Sequence, residues 1–164
     1  MTNRKGITIA TREADCTPII LYDPVQNVIG NVHSGWRGTI KKISQKAIQL
    51  MQEEYKCNVQ DIICCIGPCI GKCHFEVDED VKELFKQTFP HNLQYIEKAQ
   101  IKEGKQKYHI DIESLNIEVL LEAGIERKNI ENCGICTVCH ADHIHSFRAT
   151  KENSGRNATL IGLK

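Results

Sequence analysis

The chain folds back on itself early, and this turn constrains what can be built around it. Thr17-Pro18-Ile19-Ile20-Leu21-Tyr22 and Asn27-Val28-Ile29-Gly30-Asn31-Val32-His33 are apolar, β-prone stretches on either side of Asp23-Pro24-Val25-Gln26. Aspartate followed by proline suits the first two positions of a type I turn. The pattern predicts a β-hairpin, and its register decides which side chains meet. With four residues in the loop, Tyr22 pairs with Asn27, and Cys16 lies opposite His33 on the same sheet face. With five, His33 faces Thr17 and turns away from Cys16. The four-residue register is the expectation, and it sets a thiol beside an imidazole.

His33-Ser34-Gly35-Trp36-Arg37-Gly38 reads as a tight link into a helix. Ile40, Ile43, Ala47, Leu50 and Met51 recur at helical spacing, with Lys41, Lys42, Gln45 and Gln49 on the other face. That spacing predicts a helix from about Thr39 to Tyr55. Ile62 to Ile66 reads as a short strand, followed by a loop from Gly67 to Gly71. Asp78 is placed to cap a helix running to about Phe89, which Pro90 stops. His91 to Lys105 is polar and reads mostly as loop, with a strand candidate at Leu93–Ile96. Tyr108 to Asp111 reads as a strand, and Ile112 to Ala123 as a helix ended by Gly124. Cys133–Thr137, Ser146–Ala149 and Asn157–Leu163 are further strand candidates. This order predicts an α/β fold, a mixed-sheet sandwich with flanking helices rather than a doubly wound parallel sheet. A length of 164 residues fits one domain, and no repeat or linker divides it.

Lys plus Arg and Asp plus Glu are both 21, and no basic run exceeds the length of Lys41-Lys42. A balanced chain has no electrostatic reason to seek nucleic acid or anionic lipid. No stretch approaches the ~20 apolar residues of a membrane helix. Met1 to Ile9 lacks the apolar core of a signal peptide. The expected location is the cytoplasm, with no nucleic-acid or membrane partner. Nine cysteines without an export signal read as reduced thiols, most of them small buried hydrophobes.

Three groups of residues can carry chemistry. Cys16 and His33 suit zinc, and imidazole also suits copper; the same pair can act as nucleophile and base in a cysteine hydrolase. Asp15 would face away from Cys16 on a strand. Gly35-Trp36-Arg37-Gly38 offers amides and a guanidinium to a phosphate or carboxylate. Cys133, Cys136, Cys139 and His140, with Cys69, Cys73 and His74 upstream, have spacings met in iron–sulfur and zinc sites. Cys133 and Cys136 fall in a stretch that reads as a strand, where residues three apart point to opposite faces. No iron–sulfur cluster is therefore expected on that run. His143 and His145 read as a solvated loop, and Ser154-Gly155-Arg156 as a turn.

Thr11-Arg12-Glu13-Ala14-Asp15-Cys16-Thr17-Pro18-Ile19, His33-Ser34-Gly35-Trp36-Arg37-Gly38 and Ile66-Gly67-Pro68-Cys69-Ile70-Gly71-Lys72-Cys73-His74-Phe75-Glu76-Val77 resemble the laccase-domain polyphenol oxidase family, whose members are regarded as purine nucleoside phosphorylases. Tyr108-His109-Ile110-Asp111, Cys136-Thr137, Ser146-Phe147-Arg148 and Ser154-Gly155-Arg156-Asn157-Ala158 continue the match in order, over nearly the whole chain. The resemblance implies an α/β sandwich like the catalytic domain of cytotoxic necrotizing factors. It implies a catalytic metal, usually zinc, held by one cysteine and two histidines. The family's Ala-Asp-Cys cysteine matches Cys16, and its His-x-Gly-Trp-Arg-Gly histidine matches His33. It implies phosphorolysis of adenosine, inosine, guanosine and methylthioadenosine, with adenosine deamination; copper-dependent phenol oxidation is the attributed alternative. Arg37, Arg148 and the amides near Gly35 are the candidate phosphate partners. His74, His109 and His140 are candidates for a general acid, with none favoured. The family's other ligand histidine lies upstream, in a Gln-Val-His-Gly motif that does not occur here. The chain is therefore expected to be a single laccase-like domain over residues 1–164 that lacks the N-terminal part, with an inactive remnant as a further alternative.

Overall fold

In the computed structural model, which describes residues 1–164, the hairpin forms and its register differs from the expected one. After an opening strand, β1 (Thr8–Glu13), the arms are β2 (Thr17–Asp23) and β3 (Val28–Ser34). Asp23 pairs with Val28, so Pro18, not Cys16, lies opposite His33. The reason is the aspartate. It stays in the strand, and its Oδ1 accepts hydrogen bonds from the amides of Val25 (2.8 Å) and Gln26 (2.9 Å). Asn27 then closes the loop in the left-handed region, at φ 51°. The slip is an even number of residues, so no side chain changes face. Cys16 and His33 still share a face, diagonally rather than directly opposed.

The expected helix from about Thr39 is two helices, α1 (Trp36–Ile40) and α2 (Ile43–Tyr55). Lys42 breaks them apart with φ 50°. Next come β4 (Ile63–Ile66), β5 (Glu76–Val77) and α3 (Glu79–Thr88). Asp78 precedes α3 as expected, but its carboxylate pairs with Lys107 instead of capping the helix. The stretch read as loop is largely a second hairpin, β6 (Ile96–Lys102) and β7 (Lys105–Ile110). Its two-residue turn, Glu103-Gly104, has both φ values positive (51° and 72°), as a type I′ turn requires. Helix α4 (Ile112–Glu122) starts at Asp111, whose side chain accepts from the Ser114 amide at 3.0 Å, and stops at Gly124 with φ 94°. Strand β8 is Ile130–Asn132, so the strand expected at Cys133–Thr137 lies earlier and is shorter. Ser146–Ala149, expected as strand, opens a short helix, α5 (Phe147–Thr150), whose N-cap is the Ser146 hydroxyl. Strand β9 (Asn157–Gly162) ends the order.

Three sheets result, with the order β3-β2-β4-β8 in the largest, β5-β7-β6 in the second and β1-β9 in the third. The largest is mixed: β4 runs antiparallel to β2 and parallel to β8. The architecture is the expected mixed α/β sandwich with flanking helices. One core lies between the large sheet and α2, around Ile19, Leu21, Ile48, Met51 and Ile66. The other gathers Phe75, Phe85, Phe89, Ile110 and Leu115 between α3, β7 and α4.

A buried polar knot joins these layers behind the site. Ser34 Oγ donates to Asn116 Oδ1 (2.9 Å), and Asn116 Nδ2 donates to Thr39 Oγ1 (3.1 Å) and to the Ile112 carbonyl (2.8 Å). Ser34 and Thr39 also bond to each other at 3.1 Å. All three residues are buried, so each group depends on the others for partners. Asn116→Leu keeps the branched shape but strips the Ser34 and Thr39 hydroxyls of their amide partner. It is expected to cost about 2–4 kcal/mol, read as a lower urea midpoint with an unchanged m-value.

Candidate active site

Cys16 and His33 converge on Gly35. Cys16 sits in a bend just before β2, and His33 is the next-to-last residue of β3. A Cβ placed on Gly35 would lie 2.9 Å from Cys16 Sγ and 3.9 Å from His33 Nε2. Sulfur and nitrogen therefore border one small space. Glycine at position 35 leaves that space open. The Cys16 thiol is pushed up by burial and by the negative charges of Asp15 and Glu13, with Arg156 opposing them. A thiol in that setting ionises readily only when a cation sits beside it.

Asp15 fixes the approach to Cys16, a role the sequence reading did not assign. Its φ is 85°, so the backbone turns sharply there. Its Oδ1 accepts from the Thr137 hydroxyl (2.6 Å), Oδ2 accepts from the Arg148 amide (2.6 Å), and its carbonyl accepts from the Ile70 amide (2.9 Å). One residue thus joins three loops.

An apolar pocket of about 180 Å³ opens beside Cys16, with Trp36, Ile70, Phe75, Ile112 and Phe147 among its walls and Arg148 in its lining. Arg148 also lines a polar groove of about 740 Å³ with Glu76, Lys98, Lys102 and His109. Its Nη1 donates to the carbonyls of His74 (2.9 Å) and Glu76 (3.1 Å), which hold the guanidinium between the two spaces. Arg37 is exposed and stacks on the ring of its neighbour Trp36, 4.0 Å from the centroid. The structure therefore brings Cys16, His33 and Gly35 together and puts Arg148 at the adjoining pocket, while Arg37 lines neither space.

A second group of ligand-type side chains lies at Cys73, His74, Cys136 and Cys139. A strand through Cys133 and Cys136, as their sequence suggests, would point these two thiols to opposite faces. In the structure only Cys136 is in a bridge, with Cys69, and residues 137–140 form a turn that returns Cys139 toward Cys136. Cys133, Cys69 and His140 stay outside the group. Burial pushes the Cys136 thiol up, but hydrogen bonds from the amides of Cys139 and Gly71, with His74 and Cys73 beside it, bring it down to about 6. Cys73 is pushed up to about 12 by burial and by its two thiol neighbours. Of the nine cysteines only Cys57, Cys64 and Cys69 are buried, so burial is not the general role expected for them.

A family model described as multi-copper polyphenol oxidoreductase laccase matches residues 1–164. The chain belongs to this family. Within it, the chain is 31% identical over 163 residues to the purine nucleoside phosphorylase YlmD of Bacillus subtilis, covering 99% of this chain and 57% of that protein. It is 35% identical over 164 residues to the adenosine deaminase RL5 of an unknown prokaryotic organism, covering 100% of this chain and 61% of the relative. The crystal structure of the hypothetical protein YfiH of Bacillus licheniformis superposes with a TM-score of 0.89 at 32% identity, over 99% of this chain and 60% of that one. The chain thus spans 57 to 61% of the length of these family members. No helix is long and apolar enough to cross a membrane.

Proposed function

We propose that this chain carries two ligands of a catalytic zinc, Cys16 and His33, and the adjoining substrate pocket of a purine nucleoside phosphorylase that also deaminates adenosine. Adenosine, inosine, guanosine and methylthioadenosine are its substrates in this reading, with phosphate as co-substrate. The observation that carries it is the convergence of the Cys16 thiol and the His33 imidazole on Gly35, beside an apolar pocket. The names of the family relatives support it. Catalytic zinc uses three protein ligands as a rule; the third comes, in this reading, from the part of the family's length that this chain does not span.

In phosphorolysis a phosphate oxygen bonds to the anomeric carbon of the ribose. The bond from that carbon to the purine nitrogen breaks, its electron pair leaves with the base, and the base takes up a proton. The apolar walls around Phe75 and Phe147 suit the flat face of a purine. The Arg148 guanidinium, aimed by the carbonyls of His74 and Glu76, suits the phosphate. Cys16 and His33 would hold the zinc ion, which would supply Lewis acidity when bound. For deamination, water adds to the purine carbon that bears the amino group, and ammonia leaves. Copper chemistry of the multi-copper kind draws on several imidazoles, whereas the second ligand group here is mostly thiol; phosphorolysis is the better-supported reading.

The test uses a protein of family length that carries this chain. With inosine and phosphate it is expected to yield hypoxanthine and ribose 1-phosphate, and base release stops when phosphate is omitted. Adenosine deamination continues without phosphate, and a strong chelator stops both. Chelator-resistant turnover that ends on thiol alkylation would instead indicate a Cys16/His33 hydrolase. Gly35→Ala forces the new methyl against Cys16 Sγ. It is expected to lower zinc affinity by roughly 10–100-fold, the range for disturbed support of a ligand, as read by competition with a chromogenic chelator.

A further inference from the structure

Cys73, His74, Cys136 and Cys139 come from two loops that the backbone ties together. The Cys69 amide donates to the Ile135 carbonyl (3.2 Å), and the Thr137 amide donates to the Cys69 carbonyl (3.0 Å). This bridge draws the turn after Cys136 over the turn that carries Cys73 and His74. The resulting ligand atoms have a definite shape. Cys73 Sγ lies 3.7 Å from Cys136 Sγ and 3.6 Å from Cys139 Sγ. His74 Nδ1 lies 3.1, 3.7 and 3.6 Å from the sulfurs of Cys73, Cys136 and Cys139. All four atoms fall within 4.8 Å of one another.

A tetrahedron with zinc–sulfur bonds of ~2.3 Å and a zinc–nitrogen bond of ~2.0 Å has edges of about 3.8 Å between sulfurs and about 3.5 Å between sulfur and nitrogen. Four of the five measured edges fall within about 0.2 Å of those values, and the fifth is shorter. The separations far exceed the ~2.05 Å of a disulfide. The Gly71 amide also donates to Cys136 Sγ at 3.2 Å. An amide aimed at a sulfur stabilises a coordinated thiolate by spreading its charge.

We infer that Cys73, His74, Cys136 and Cys139 form a closed, structural zinc site that shares no ligand with the Cys16/His33 centre. Four protein ligands leave no open position for substrate, the mark of a structural site. Its place in the fold indicates its task. Thr137 lies between two of the ligands, and its hydroxyl holds Asp15, the neighbour of Cys16. The carbonyl of His74 accepts from Arg148. Zinc here fixes the two loops that position the active-site pocket.

The test uses the whole chain with Cys16→Ala and His33→Ala combined, so its outcome is independent of the proposed activity. Purified under reducing conditions with zinc, this variant is expected to retain one zinc per chain by native mass spectrometry. Cobalt in place of zinc should give the intense thiolate-to-metal absorption of a tetrahedral site. Adding Cys139→Ser should remove the tight equivalent. An alkylation footprint of the otherwise unaltered chain covers the case in which that variant fails to fold. Cys73 and Cys139 are both exposed, yet zinc should slow their reaction with iodoacetamide at least roughly tenfold, since a coordinated thiolate is a poorer nucleophile. Loss of all zinc from the double variant, equal alkylation with and without zinc, iron with acid-labile sulfide in place of zinc, or a disulfide within the group in fresh reduced protein would each overturn the assignment.

Discussion

Cys16→Ala, made in a protein of family length, is expected to lower kcat/KM for nucleoside phosphorolysis by more than the ~10–100-fold that follows loss of a ligand's support. The zinc at that centre should be lost with it. The thiol supplies the one soft donor next to Gly35, and an alanine methyl supplies none. His33→Ala is expected to do the same. The double variant should be no worse than either single one, because in the proposed site both side chains serve one ion and their effects are not additive. Neither change should lower stability by much: His33 is exposed and Cys16 is only half-buried, in the bend before β2. Urea denaturation separates the two effects. A Cys16→Ala protein that keeps both its zinc and its rate would show that the convergence on Gly35 has no catalytic meaning.

Asp15→Ala is expected to be the most damaging single change near the site, at about 4–8 kcal/mol. Hydrogen bonds to a charged group contribute ~1.5–3 kcal/mol each, and Asp15 accepts two, from Thr137 and from the Arg148 amide. Its φ of 85° adds to this, because a left-handed backbone costs alanine roughly 1–2 kcal/mol, whereas aspartate and asparagine tolerate it better. Asp15→Asn keeps that tolerance. Its amide can donate to the Thr137 hydroxyl while its oxygen accepts from Arg148, so a loss of only about 1–2 kcal/mol is expected. Equal losses in the two variants, measured by urea unfolding, would contradict the three-loop junction.

The faces of the first hairpin were legible because strand periodicity is two, and a register error of an even number leaves every side chain on its face. The register was not legible, because it turned on whether Asp23 belonged to the loop or to the strand. The second hairpin was missed for its polarity: β6 is mostly exposed and carries no apolar run, and the only local signal was the Glu103-Gly104 turn. The continuous helix failed at Lys42, whose left-handed backbone no propensity foretells. Cys16 and His33 stood out by residue type and by resemblance. Asp15 did not, since its partners Thr137 and Arg148 are remote in sequence. The Cys136–Cys139 spacing is a readable metal signal, but the β-prone Cys133–Thr137 stretch hides the turn over residues 137–140 that brings the two thiols together.

The contacts of Asp15 also bear on the order in which the molecule comes together. Its two carboxylate partners lie 122 and 133 residues further along the chain, and β1 finds its pairing strand only in β9. Such closures are slow, because a long loop must be ordered before they form. During synthesis, which proceeds from the N-terminus, the local hairpin of β2 and β3 can form as soon as its residues have emerged. Until Arg148 follows, Cys16 remains an ordinary thiol on an unbraced loop. The nascent polypeptide thus carries the Cys16 sulfur on an unfinished corner until the loops around Thr137 and Arg148 have been made.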